Sequence, residues 1–414
     1  MPPKRKAAAA AEMKAKRAKG ETDLSGDLKW RQAGDILSKG VHPMLYLSSD
    51  TLEGTNKVAG FDIDFTVIKT KSGRKFATGA SDWEFWHEKV PEKLKTLHKD
   101  GFRLIFFTNQ AGIEKLKVKP EEVMSKVEAI IKALDTPVYA FVSTGNSHFR
   151  KPATAMWDFF LSNCNDGVKV ELDKCVYVGD AAGRPKEWSA GKPRDFSCSD
   201  RMFAANVGIN FQTPEEFFLG EKPATFSWGS LDAASYLKKN PPVEEKQDYH
   251  SKGKELVIMV GPPASGKSTF CKRYLQPHGY QIINRDTLGT ASKCIKEAEK
   301  ALKAGKSVVI DNTNPSKAAR ADYTQVAKST GASCRCFILQ TPWEVANHLN
   351  YVRQNQTEGR VRRIPDVGYN VYKKNYEEPD KAEGFCEIKK VGFKLKFDTK
   401  KDERLFTQWS TPGH

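Results

Sequence analysis

Asp62 and Asp64 stand two residues apart in D-I-D-F-T at 62–66, directly after an apolar run. Extended chain sends side chains i and i+2 the same way, so both carboxylates can face one pocket. Two close carboxylates repel and need a shared proton or a cation. Mg²⁺ answers that need, because it takes oxygen ligands and also neutralises a phosphate. The pattern suits removal of a phosphate through a carboxylate nucleophile. A second constellation, Gly261, Pro262, Pro263, Ala264, Ser265, Gly266, Lys267, Ser268 and Thr269, again follows an apolar run. It matches the spacing G-x-x-x-x-G-K-[ST], in which glycine-flanked N–H groups and a helix N-terminus cradle phosphates. Lys267 is placed to reach the transferring phosphates and Ser268 to hold Mg²⁺, the chemistry of ATP binding and phosphoryl transfer.

Further candidates follow each motif in order. F-F-T-N-Q at 106–110 ends an apolar run with Thr108, a hydroxyl for a phosphoryl oxygen. R-K-P at 150–152 supplies Lys151 as a point charge, and V-Y-V-G-D at 176–180 supplies Asp180 as a second metal carboxylate. After the glycine loop, I-I-N-R-D at 282–286 offers Asp286 as a base for an attacking hydroxyl. V-V-I-D at 308–311 offers Asp311 for a metal-water or acceptor contact. Taken alone, either aspartate could instead cap a helix N-terminus. Charge spread over a transferred phosphoryl group calls for arginine, and 348–376 carries Arg353, Arg360, Arg362 and Arg363.

The positioning elements are legible as short apolar runs between helical patterns. In the first half, strands are expected at 57–63, 102–108, 139–143 and 174–179, with helices at 90–99 and 121–134. In the second, strands are expected at 255–260, 281–284, 307–311 and 334–339, with β-rich chain at 385–397 closing an edge. This alternation predicts an α/β protein of two domains, each a mainly parallel sheet with helices on both faces. Their expected bounds are 21–238 and 255–414, joined by a polar, two-proline linker at 239–254. The aromatic cluster Trp83, Phe85 and Trp86 reads either as core or as a stacking platform for unpaired bases.

Longer stretches carry a resemblance. The four elements around Asp62, Thr108, Lys151 and Asp180 resemble the haloacid dehalogenase superfamily. T-G-A-S-D-W, R-K-P-A-T-A-M-W, V-G-D-A-A-G-R-P, D-F-S-C-S-D-R-M-F-A and T-P-E-E-F-F resemble the eukaryotic polynucleotide kinase 3′-phosphatases. N-R-D-T-L-G and D-N-T-N-P resemble the kinase half of the same family. The likeness implies a haloacid dehalogenase-like domain followed by a P-loop kinase-like domain. It makes Asp62 the nucleophile and Asp64 the acid and base. It has Thr108 and Lys151 steady the phosphoryl group. Mg²⁺ would be held by Asp62, Asp180 and the carbonyl of Asp64, with Asp195 and Asp200 behind them. Asp286 would activate a 5′-hydroxyl and Arg353 would be the lid arginine. Two departures stand out. Phe65 occupies a position that is usually glycine, and Lys373-Lys374 stand where the family often has Arg-Lys. There is no room before residue 57 for the forkhead-associated module of animal relatives, so recruitment through it is expected to be absent.

Charge agrees with a polyanion partner. The net charge is +16 over 414 residues, with Lys4, Arg5, Lys6, Lys14, Lys16, Arg17 and Lys19 clustered at the start. That basic segment suits nuclear import, a nucleic-acid tether, or no task beyond solvation. The eight cysteines form no CxxC pair and read as reduced thiols, and no apolar run is long enough for a membrane span. The combined expectation is a monomeric nuclear enzyme working with ATP and Mg²⁺ on DNA ends, single- or double-stranded, alongside repair proteins. RNA ends, an end-binding scaffold with a weakened phosphatase, and a fusion of two metabolite enzymes are the alternatives.

Overall fold

The computed structural model describes residues 27–37, 40–243 and 247–411; the basic segment 1–20 lies outside them. The described chain forms two compact units, dividing between Ser230 and Leu231, with Trp409–Thr411 belonging to the first.

The first unit is built on strands β1 (Leu28–Ala33), β2 (Met44–Ser49), β3 (Val58–Phe61), β4 (Ile68–Lys69), β5 (Glu84–Phe85), β6 (Arg103–Asn109), β7 (Val138–Ser143), β8 (Val176–Val178) and β9 (Asn210–Gln212). Seven of them form one sheet in the order β1-β2-β7-β6-β3-β8-β9, and β4 pairs with β5 in a small ribbon. The strands from β7 to β9 in that order run parallel, whereas β1 and β2 extend the sheet antiparallel. This antiparallel edge was not anticipated from composition, because L-K-W-R-Q-A in β1 alternates polar residues through a half-buried strand. Alternation along β6 sends Leu104 and Phe106 into one core and Ile105 and Phe107 into the other. Burying both faces makes each such side chain worth about 1.5–3 kcal/mol. The helices Lys89–Lys99 and Pro120–Leu134 place Val90, Leu94, Val127 and Ile130 on the first face. Trp157 and Phe160 of helix Ala155–Asn163 cover the second face.

Trp409 closes this unit. Its indole stacks on Trp228 with centroids 4.1 Å apart and planes 8° from parallel. The Asn206 amide accepts from its N–H (2.7 Å) and donates to its carbonyl (2.9 Å).

The second unit holds β10 (Glu255–Val260), β11 (Gln281–Ile283), β12 (Val308–Ile310), β13 (Ser333–Gln340) and β14 (Glu387–Gly392), in the all-parallel order β11-β12-β10-β13-β14. Leu256, Ile258 and Val260 face one core, and Val257 and Met259 the other. The unit begins earlier than the expected linker. Helix Ala233–Lys239 belongs to it, capped by Asp232. Tyr249 of the polar stretch is 3% exposed, with its ring 4.7 Å from Phe270. One buried aromatic in otherwise hydrophilic chain turns a linker into packed structure.

In both sheets a central strand is flanked by connections running in opposite directions: β3 between β6 and β8, and β10 between β12 and β13. Such switch points open crevices beyond the strand C-termini, where ligands bind in open α/β sheets. Asp62 follows β3 directly and Gly261 follows β10 directly.

Candidate active sites

The loop after β3 is held tightly. The Asp62 N–H donates to Val178 O at 2.9 Å, and the N–H groups of Thr66, Val67 and Ile68 all converge on Ile63 O. Buried Thr66 accepts the Asp180 N–H at 3.0 Å, which ties the ends of β3 and β8 together. Carboxylate oxygens of Asp62, Asp180 and Asp200 lie within 4.8 Å of one another. Lys151 Nζ sits 2.8 Å from Asp62 Oδ1 and 2.8 Å from Asp200 Oδ1, and also donates to Phe107 O and to the Tyr177 hydroxyl, each at 2.7 Å. Burial would lower the Lys151 ammonium, but Asp200 and Asp62 outweigh it and hold it above its usual value. Burial, then the neighbouring Asp200 charge, pushes Asp62 up to about 7 despite Lys151. Burial followed by the Asp200 and Asp62 charges raises Asp180 well above the carboxylate range.

Three carboxylates against one ammonium leave an excess of negative charge in a buried site. Asp200 Oδ1 is shielded from solvent, and the ammonium it faces at 2.8 Å is the one that Asp62 also shares. An all-oxygen donor set with surplus charge fits a hard divalent cation. Asp200 thus takes a place in the cluster itself, where the sequence suggested a supporting role. The carboxylate of Asp64 lies outside the cluster: Oδ1 pairs with Lys126 Nζ (3.0 Å), and Oδ2 accepts from Gln110 Nε2 (2.7 Å). Gln110 also donates to Thr108 Oγ1 at 3.1 Å, so Asp64 and Thr108 share one amide. Asp195 binds away from the cluster. Its Oδ2 accepts from the N–H groups of Ala182 and Arg184 and from Arg184 Nε, pinning the loop after Asp180.

Lys126, Gln110, Tyr177 and the full part of Asp200 escaped sequence reasoning. Lys126 carried a visible signal. It falls within the apolar stripe Val123, Val127, Ile130, Leu134, where a lysine needs a partner. Trp83, Phe85 and Trp86 pack partly buried against the first core, with Trp86 6.0 Å from Phe218. Phe65 adopts φ +60° and is 38% exposed. That left-handed backbone costs a residue bearing a Cβ roughly 1–2 kcal/mol.

In the second unit the loop from Gly261 to Gly266 turns from β10 into helix Lys267–Phe270. Gly266 sits at φ +93°, and a Cβ on Gly261 would meet Ser265 Oγ at 2.8 Å. Lys267 is buried and donates to the carbonyls of Gly261 (3.0 Å) and Pro262 (2.7 Å). Burial depresses it to about 8, with Asp311 acting the other way. Burial raises Asp311, while a hydrogen bond with Ser268 and the Lys267 charge oppose the rise. A cavity of about 910 Å³ brings Lys267, Ser268, Asp286, Asp311 and Arg353 to one wall system.

Asp286 lies inside the short helix Arg285–Leu288, whose cap is Asn284, so capping is not its task. Arg353 donates to Asn350 Oδ1 (3.1 Å), and its buried Nε has no hydrogen-bond partner among the described residues. Arg360, Arg362, Arg363, Lys373 and Lys374 do not line this cavity. Lys394 and Lys396, from the chain after β14, line it instead and went unnoticed in the sequence.

A family model described as "Polynucleotide kinase 3 phosphatase" matches residues 57–218, and one described as "AAA domain" matches 256–296 and 289–379. The "Bifunctional polynucleotide phosphatase/kinase" of Schizosaccharomyces pombe is 40% identical over 349 residues, spanning 83% of this chain and 81% of that protein. The "Polynucleotide 3'-phosphatase" of Saccharomyces cerevisiae is 28% identical, spanning 43% of this chain and 94% of that protein. The crevices of both sheets, and a relative matched along most of the chain, lead to one conclusion: this chain belongs to the bifunctional polynucleotide phosphatase/kinase family.

Proposed function

We propose that the chain heals DNA strand ends: its first unit hydrolyses a 3′-phosphate and its second phosphorylates a 5′-hydroxyl with ATP. The observation that carries this reading is the meeting of Asp62, Asp180 and Asp200 around Lys151 in a chain that also holds a complete phosphate loop. In the first unit, Asp62 attacks phosphorus and the bond to the sugar O3′ breaks, leaving an aspartyl-phosphate. Asp64, oriented by Gln110 and Lys126, gives the leaving oxygen its proton and then takes one from the water that releases phosphate. Lys151 and the Thr108 hydroxyl steady the phosphoryl oxygens. Mg²⁺ on Asp62, Asp180 and Asp200 would neutralise phosphate charge.

In the second unit, Lys267 and the loop N–H groups bind the ATP phosphates, and Ser268 with Asp311 would hold Mg²⁺. Asp286 takes the proton of the attacking 5′-hydroxyl, and Arg353, whose Nε has no hydrogen-bond partner among the described residues, supplies charge to the transferred group. The net charge of +16 draws the polyanion substrate, and the basic segment 1–20 directs the enzyme to the nucleus, where it serves strand-break repair. The test is a labelled nicked duplex bearing 3′-phosphate and 5′-hydroxyl. Release of phosphate without ATP, and label transfer from ATP to the 5′ end, are the expected results. Absence of both would overturn the reading.

A further inference from the structure

We propose that Phe65 contacts substrate: its ring stacks on the terminal nucleobase of the strand whose 3′-phosphate reaches Asp62. This rests on the 3′-phosphatase reading above. Phe65 holds a left-handed backbone, φ +60°, in which a Cβ crowds the following carbonyl. Glycine would be free of that strain, and asparagine or aspartate could offset it with a local hydrogen bond; phenylalanine does neither. The loop gives it no way out. Ile63 O gathers three successive N–H groups just beyond it, and Thr66 is locked to Asp180.

The ring is only partly covered in return. Its neighbours Ile63, Val67 and Ile68 are buried in the first core, whereas Phe65 is 38% exposed and is not part of that core. The backbone strain beneath this partly exposed aromatic is offset only in part by covering the ring, and such outliers cluster at functional sites. Phe65 follows Asp64 in the loop beyond the C-terminus of β3, the end of the sheet at which the strand being processed would bind. The 3′-phosphate and the last base belong to the same nucleotide, which places an aromatic face close to the phosphate. Stacking on that face is sequence-tolerant, as an enzyme acting on strand ends of any sequence requires.

The experiment compares two 3′-phosphorylated single strands, identical except that one ends in an abasic residue, with wild type, Phe65→Gly and Phe65→Asn. Wild type is expected to favour the strand with a terminal base by roughly 5- to 150-fold in kcat/KM, the span that base–aromatic stacking gives. Both variants should lose that preference, chiefly through KM, while hydrolysing the abasic strand as wild type does. Phe65→Trp should keep the preference. Both variants accept a left-handed backbone, so a folding defect would not imitate the effect; an unchanged kinase rate checks this. If the variants discriminate as wild type does, the base contact is wrong and the phosphatase reading stands. If wild type releases phosphate from neither strand, the phosphatase reading fails and takes the contact with it.

Discussion

Acid should destabilise the second unit through one histidine. His348 is 1% exposed on helix Trp343–Gln356, the helix that carries Arg353. Its Nε2 donates to Phe406 O at 2.6 Å. Burial pushes the imidazole from 6.5 down to about 4; the Phe406 carbonyl resists and Arg363 adds to the fall. The unfolded chain therefore takes up a proton below pH 6.5 that the folded chain refuses until about pH 4. Because the folded value is the depressed one, stability is intact above 6.5 and is lost as pH falls through that window. A gap of about 2.5 units at ~1.4 kcal/mol each gives about 3 kcal/mol lost by pH 4. That is a large part of an ordinary ~5–15 kcal/mol. His348→Gln keeps an N–H for the carbonyl and cannot titrate. Amide exchange of β10 in the intact chain, compared between wild type and variant at each pH, should show a wild-type slope steeper by up to one proton between pH 6 and 4. Equal slopes, or a His348 carbon resonance titrating near 6.5, would refute the reasoning.

Other perturbations separate the two sites. Asp62→Asn should abolish 3′-phosphate release and spare ATP-dependent labelling, and Lys267→Ala should do the reverse; a folded variant lacking both activities would sink the two-site scheme. Lys126→Met frees Asp64 from its 3.0 Å partner and should cut phosphatase kcat by roughly 10- to 100-fold, with an unaltered rate showing that Gln110 alone suffices. Arg320 is fully buried, pairs with both Glu383 oxygens, and donates to the carbonyls of Asn314, Pro315 and Glu377. Arg320→Met should destabilise the second unit by about 3–5 kcal/mol in urea unfolding; a loss under ~1 kcal/mol would mean the cluster adds little.

Local spacing was readable wherever one short segment holds the information. The strand Glu255–Val260 shows why: its six residues are all buried, and Lys254 and Gly261 bound the run sharply. The glycine loop and the D-x-D pair are likewise contiguous. What was not readable depends on segments meeting across the fold. Asp200 joins Asp62 only because the helix Ser199–Val207 packs behind β8. Asp64 finds Lys126 and Gln110 from two other elements. A polar edge strand such as β1 earns its place by pairing with β2, which no hydrophobic period announces. The departure at Phe65 was visible as a residue type, but its left-handed backbone and exposed ring needed coordinates.

The clamp on Trp409 makes the second unit an insertion within the first unit's polypeptide, bounded by residues 230 and 409. A fragment ending at Ser230 would leave the Trp228 face bare and the Asn206 amide without its peptide partner. A chain cut just before Trp409, far downstream of the phosphate loop, would wound the phosphatase rather than the kinase. Damage to the chain at Trp409 should therefore appear first as a defect in the activity carried by the opposite stretch of the sequence.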